Sequence, residues 1–197
     1  MRPLTHEEVN MYLEVFDLRE KLIVRLAIFE GMRPGEIFAL RWKSVRNGML
    51  TVDERVYKRV LNTPKNGESR VGAISAGTLA LLEQWAALAQ DPTPDGFIFP
   101  SENILTPLSA DNLWRRKMYP KLEKIGLDWA TFQVLRRTNA SLSKKYGIDP
   151  KVASDQRGHG VGISLKVYTS SDLEQKRAAV NKLEAAVLRK PQQKLSA

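Results

Sequence analysis

Near the N-terminus apolar residues recur at helical spacing, Val9, Tyr12, Leu13 and Phe16 in one stripe and Leu22, Ile23, Leu26 and Phe29 in a second. The spacing predicts two amphipathic helices, over 5–17 and 18–30. Thr5-His6-Glu7-Glu8 opens the first as a capping box, with His6 a solvated helix-start residue, and Gly31 is suited to end the second. From Met49 the period shortens: 49–52, 55–60 and 69–74 predict three short strands, and Asn66-Gly67 is a hairpin turn between the last two. Ser75 then caps a helix over 75–89, with Leu79, Leu82 and Trp85 inward. A loop with two prolines leads to Phe97-Ile98-Phe99, a short buried segment, and Ser109 starts a helix to Lys117. Helices over 134–146, 148–158 and 164–170 follow, interrupted by the glycine-rich loop Gly158-His159-Gly160-Val161-Gly162. A last helix runs from Asp172 with Leu173, Val180, Leu183 and Val187 on one face, and Pro191 closes it before a frayed tail over 192–197. The fold class is α+β, mainly helical with a small three-stranded antiparallel sheet.

Composition narrows the setting. The 197 residues suit one domain, and 43% hydrophobic with 27% charged residues is the balance of a soluble globular protein. Absence of cysteine excludes disulfides and Cys-based metal sites, and His6 and His159 alone make a histidine metal site a poor expectation. No signal peptide or membrane-length apolar run is present, so the expected location is the cytoplasm, with no membrane partner. Thirty-one Lys and Arg against 22 Asp and Glu give a formal charge of +9. That excess favours a polyanion, because each phosphate contact releases counterions, although ribosomal and membrane-surface proteins share it.

Arg33 is where local physics begins to point to chemistry. Pro34 suits the first position of a helix, which makes Arg33 the cap residue and sets a cation against the positive end of the helix dipole. Either its side chain escapes into water or an anion shared with the helix amides resolves the conflict. Glu36, three residues on, either braces Arg33 or serves the helix N-terminus. Arg136 lies in the first turn of its own predicted helix, and the pair would clamp a phosphodiester from two sides, since a guanidinium binds two phosphate oxygens at once. Tyr168 supplies a nucleophilic oxygen for a covalent ester, Lys65 a proton for the leaving oxygen, and His159 a hydrogen bond to the phosphate or a relay for the tyrosine proton. Arg115, Arg116 and Lys117 fit either a DNA backbone or a solvated basic face.

Gly31-Met32-Arg33-Pro34-Gly35-Glu36-Ile37, Lys65 in a hairpin, Leu135-Arg136-Arg137-Thr138, and Gly158-His159 with Tyr168 nine residues later resemble the catalytic domain of tyrosine recombinases, the phage integrase family. The resemblance spans 5–189. It implies the roles just given for Arg33, Lys65, Arg136, His159 and Tyr168, on double-stranded DNA. It further implies cutting and rejoining through a 3′-phosphotyrosyl intermediate without metal, ATP or other cofactor. It also implies tetramers assembled on DNA, with the last helix exchanged between protomers, although packing of that helix on its own domain fits its apolar face equally.

Two positions depart from the family pattern. Gln133 stands where the family usually has histidine or lysine, and it donates a hydrogen bond but cannot titrate. Arg157 stands where leucine is common and is expected to face DNA or solvent; with Arg137 it joins the candidate DNA contacts. Family members also carry an N-terminal core-binding domain. Almost nothing precedes Thr5, so 1–191 is expected to be the catalytic domain without that one, either excised or a minimal protein. Gln133 keeps a second reading open, a DNA-binding module of this fold that does not cut. A third, a transcription factor reading a groove through the helices around 134–156, leaves Tyr168 and Lys65 unexplained.

Overall fold

The computed structural model describes residues 1–64 and 67–158. Lys65, His159, the expected 164–170 helix with Tyr168, the last helix and the tail lie outside the described residues. Helices α1 (His6–Glu14) and α2 (Leu18–Ile28) form where the two stripes predict, and the capping box is present, the Glu8 amide donating to Thr5 Oγ1 at 3.2 Å and the Thr5 amide to Glu8 Oε2 at 2.8 Å. Helix α2 is buried nearly all round, Val24, Ala27 and Ile28 as well as Leu22, Ile23 and Leu26, because α1, α3 (Pro34–Ala39), α4 (Ala76–Ala86) and α7 (Phe132–Lys145) all pack against it. Phe29, expected inward, is 39% exposed. It caps α2 beyond the packed turns, and the Arg25 guanidinium lies 4.6 Å from its ring centroid.

Among the described residues the larger sheet has three antiparallel strands, but they are not the expected three. β1 (Val45–Arg46), β2 (Met49–Val52) and β5 (Arg70–Ala73) pair in that order. β3 (Arg55–Tyr57) instead pairs with β4 (Val60–Asn62), and their hairpin turns at Lys58-Arg59 rather than at Asn66-Gly67. Both turn residues have positive φ, 50° and 65°, the backbone twist that a two-residue hairpin needs. The core lies beneath β2, whose Leu50 and Val52 point inward at the strand period.

Three further elements differ from the pattern for local reasons. Ser75 occupies the cap position of α4, yet its hydroxyl and its amide both donate to the buried carboxylate of Glu30, at 2.8 and 3.0 Å, and it makes no side-chain cap bond. The helix from Ser109, which accepts from the Asn112 amide at 3.3 Å, does not end at Lys117. It runs from α5 (Ala110–Leu113) through a π turn (Trp114–Met118) into α6 (Tyr119–Glu123). The wider turn lets the Tyr119 amide reach the Trp114 carbonyl just before Pro120, which has no amide to give. Phe97, Ile98 and Phe99 are buried as expected, with the Ile98 amide on the Leu40 carbonyl at 2.9 Å.

Helix α8 (Pro150–Arg157) is capped by Asp149, whose Oδ1 accepts the Lys151 and Val152 amides. Its far end is tied to the sheet. The Gln156 side chain accepts from the Ala73 amide and donates to the Ala73 carbonyl, each at 2.9 Å, as one more residue on the open edge of β5 would. No helix among the described residues is long and apolar enough to cross a membrane.

Candidate active site

Arg33 stands in an extended conformation at the cap of the six-residue α3. Two glycines make its surroundings. Gly31 has φ 66°, and a Cβ there would meet Arg157 Cγ at 2.7 Å; a Cβ on Gly35 would lie 2.4 Å from the Val56 carbonyl, so α3 rests directly on β3. Glu36, fully buried, braces Arg33 twice: Oε2 accepts the Arg33 amide at 2.9 Å and Oε1 the guanidinium at 2.8 Å. Arg70, on β5, grips the same carboxylate with both terminal nitrogens, at 2.9 and 2.6 Å. Burial pushes the Glu36 carboxyl up, but the Arg70 fork and charge, with the bonds from Arg33, together outweigh it and hold the group down to about 2.

Arg136 rises from the first turn of α7 and is buried. Its Nη1 donates to the Gly31 carbonyl and its Nη2 to the Arg157 carbonyl at 2.7 Å. Arg33 Nη2 donates to the next carbonyl, that of Gly158, at 3.4 Å. The two arginines, far apart in sequence, therefore converge on consecutive carbonyls at the left-handed end of α8, immediately before His159. Asn139 lies one turn from Arg136 on α7. Its Nδ2 donates to the carbonyls of Ile28 and Phe29, at 2.8 and 3.0 Å, supplying donors that the end of α2 lacks, while its Oδ1 accepts from Arg157 Nη1 at 3.1 Å.

Arg157 is a correction. Expected to face DNA or solvent, it is 3% exposed. The space left by the missing side chain of Gly31 receives its stem, and Asn139 receives its head. Gln133 is exposed and three residues before Arg136, on the same helix face. Arg137 is half-buried with its guanidinium 3.4 Å from the Met1 carbonyl, and Arg115, Arg116 and Lys117 are exposed on the π turn. A groove of about 900 Å³ lined by Trp85, Leu88, Ile98, Pro107, Arg116 and Lys117 includes neither Arg33 nor Arg136. Among the described residues no three His, Cys, Asp or Glu side chains gather as metal ligands.

Arg70 and Asn139 are the participants that patterning along the chain passes over. The available signal for Arg70 is its register: it pairs with Val52, whose side chain is buried, so a cation occupies a strand position on the inward face. Asn139 is a polar residue on the buried stripe of α7, two helical residues beyond Arg137.

A model of the phage integrase family matches residues 2–175. The chain is 28% identical over 183 residues to the tyrosine recombinase XerA of Pyrococcus horikoshii, an alignment covering 92% of this chain and 61% of that protein. It is 30% identical over 161 residues to the tyrosine recombinase XerA of Saccharolobus solfataricus, covering 81% of this chain and 48% of that one. Among solved structures it superposes on the Tn1549 transposon integrase in complex with a circular intermediate DNA with TM-score 0.78 at 16% identity, covering 91% of this chain and 65% of that one. With the XerH site-specific recombinase bound to difH substrate the TM-score is 0.69 at 21% identity, covering 93% and 55%. These likenesses establish the fold. The chain belongs to the phage integrase family, and it spans about half to three-fifths of the length of the curated relatives it matches.

Proposed function

We propose that this chain is the strand-cleaving and strand-joining domain of a site-specific recombinase acting on double-stranded DNA. The observation that carries this reading is the convergence of Arg33 and Arg136 on the 157 and 158 carbonyls, directly before His159. Two guanidinium groups held on separate elements can take the two non-bridging oxygens of one phosphate and stabilise the charge that builds there during attack. Tyr168 attacks the phosphorus, its oxygen forming a 3′-phosphotyrosyl ester as the bond to the 5′ oxygen breaks, and Lys65 gives that oxygen its proton. His159 bonds the phosphate and accepts the tyrosine proton. Gln133, exposed one turn before Arg136, adds a neutral hydrogen bond to a phosphate oxygen. The ester preserves the phosphodiester's energy, so a second 5′ hydroxyl can reverse the step and rejoin the strands. Exposed Arg115, Arg116 and Lys117, with Arg137, are available to the flanking backbone. The activity belongs in the cytoplasm, with the DNA.

The test is a nicked suicide duplex carrying a recognition site selected from a random duplex pool by binding. Wild-type protein is expected to form an adduct that migrates as protein joined to DNA, and Tyr168→Phe to form none. Adduct formation by the phenylalanine variant, or none by the wild type, ends this reading. On such DNA the protein is expected to act as a tetramer that exchanges its last helix, a reading supported by the apolar face formed by Leu173, Val180, Leu183 and Val187. Sedimentation with cognate DNA checks it, and a strict monomer per site overturns it.

A further inference from the structure

We infer that Arg70 is a charge-compensating positioning residue, which keeps the Arg33–Glu36 pair able to accept a phosphate; the inference rests on the reading of Arg33 as a phosphate ligand. Glu36 orients Arg33 through both its amide and its guanidinium, at 2.9 and 2.8 Å. The same carboxylate cancels the charge it orients. A guanidinium paired with one carboxylate is net neutral, and an incoming phosphate would feel the repulsion of the carboxylate along with the attraction of the arginine. Arg70 removes that conflict by donating to both Glu36 oxygens, at 2.9 and 2.6 Å.

The three side chains then carry one net positive charge, and their burial decides where it is presented. Side-chain exposure is 1% for Glu36, 14% for Arg70 and 24% for Arg33, so the surplus charge faces outward at Arg33. Arg70 is fixed from two further directions. Its register opposite Val52 anchors its backbone, and its stem lies against Gly158, where a Cβ would come within 2.7 Å of Arg70 Cδ. One arginine thus neutralises the brace of Arg33 and packs on the turn that precedes His159. It touches no reacting atom; it acts through Glu36 and Arg33.

A double-mutant cycle on the full chain separates this role from packing. Arg70→Met is expected to slow adduct formation on the suicide duplex by about tenfold or more, and Arg70→Lys, which keeps the charge and loses the fork, by no more than about threefold. In a Glu36→Gln background, where no carboxylate remains to be neutralised, Arg70→Met is expected to cost no more than about twofold. Equal losses in the two backgrounds overturn the inference, because a packing role does not depend on the charge at Glu36. Should Arg70→Met fail to fold by far-UV circular dichroism, a loss of about tenfold or more in a folded Arg70→Lys protein overturns it instead. Duplex binding supplies a readout independent of cleavage: Arg70→Met is expected to lower the salt dependence by about one phosphate contact when Glu36 is present and not when it is Gln. If wild-type protein forms no adduct, the strand-transfer reading falls, while the salt dependence still decides the role of Arg70; an unchanged slope overturns it.

Discussion

Arg136→Ala is expected to lower the single-turnover rate of adduct formation by roughly a thousandfold or more, at or beyond the roughly hundred- to thousandfold loss typical when one preorganised donor to developing charge is removed. The geometry makes the loss larger than that of one contact. The Arg136 guanidinium binds the Gly31 carbonyl, two residues before Arg33, and the Arg157 carbonyl, two residues before His159. On the proposed reading, removing it takes away one of the two guanidinium groups of the phosphate clamp, and it also unties the Gly31 backbone that leads to Arg33 from the end of α8. It also leaves two carbonyls without this donor, at a cost of about 1–3 kcal/mol for each buried group left unsatisfied. Arg136→Lys separates the effects. One ammonium keeps the charge but cannot span both carbonyls and still face a phosphate, so this variant is expected to hold most of the stability while losing at least about a hundredfold in rate. Denaturant midpoints and suicide-substrate kinetics on both variants check the split; a lysine variant cutting at the wild-type rate would show that the planar fork is not needed.

The second large effect falls on stability. Glu36→Ala leaves Arg33 and Arg70 facing one another with no carboxylate between them, and breaking a buried ion pair in this way costs roughly 3–5 kcal/mol. The same group is expected to make the wild-type protein acid-sensitive. The folded-state value of Glu36 is depressed from 4.5 to about 2, so the unfolded chain takes up the proton first as the pH falls. The contribution of Glu36, on the order of 3 kcal/mol, is fully present above its ordinary value and is lost as the pH falls through 4.5 toward 2. Glu36→Gln keeps the shape without the titration, so its stability is expected to be lower at neutral pH and flatter in that acid window. Urea titrations at several pH values measure this directly, and parallel acid losses in the two proteins would assign the sensitivity to other carboxylates.

Local chemistry was readable where its cause is local. The Thr5 capping box, the stripe of α1, the Pro34 start of α3 and the buried 97–99 segment each depend on residues a few positions apart, and each is present. Pairing was less readable. Asn66-Gly67 is the stronger turn signal by composition, yet β3 pairs with β4 across Lys58-Arg59 while β5 pairs with β2, a choice of partners made between strands far apart in the sequence. Arg157 departs from its expected exposure for a related reason. Its exposure depends on Gly31 and Asn139, residues more than a helix away that make a buried space with a hydrogen-bond acceptor in it.

The helical and strand texture, the basic charge, and the order of Arg33, Lys65, Gln133, Arg136, His159 and Tyr168 that carries the family resemblance are legible along the chain. These follow from periodicity, capping and side-chain chemistry, which act over a few residues. That Arg33 and Arg136 reach neighbouring carbonyls, that Arg157 is buried, and that Arg70 shares the carboxylate of Glu36 emerge from the packing of elements distant in sequence. A charge on a strand or helix has one identity in the sequence but takes its partner, its solvation and its net field from elements that meet only when the chain folds.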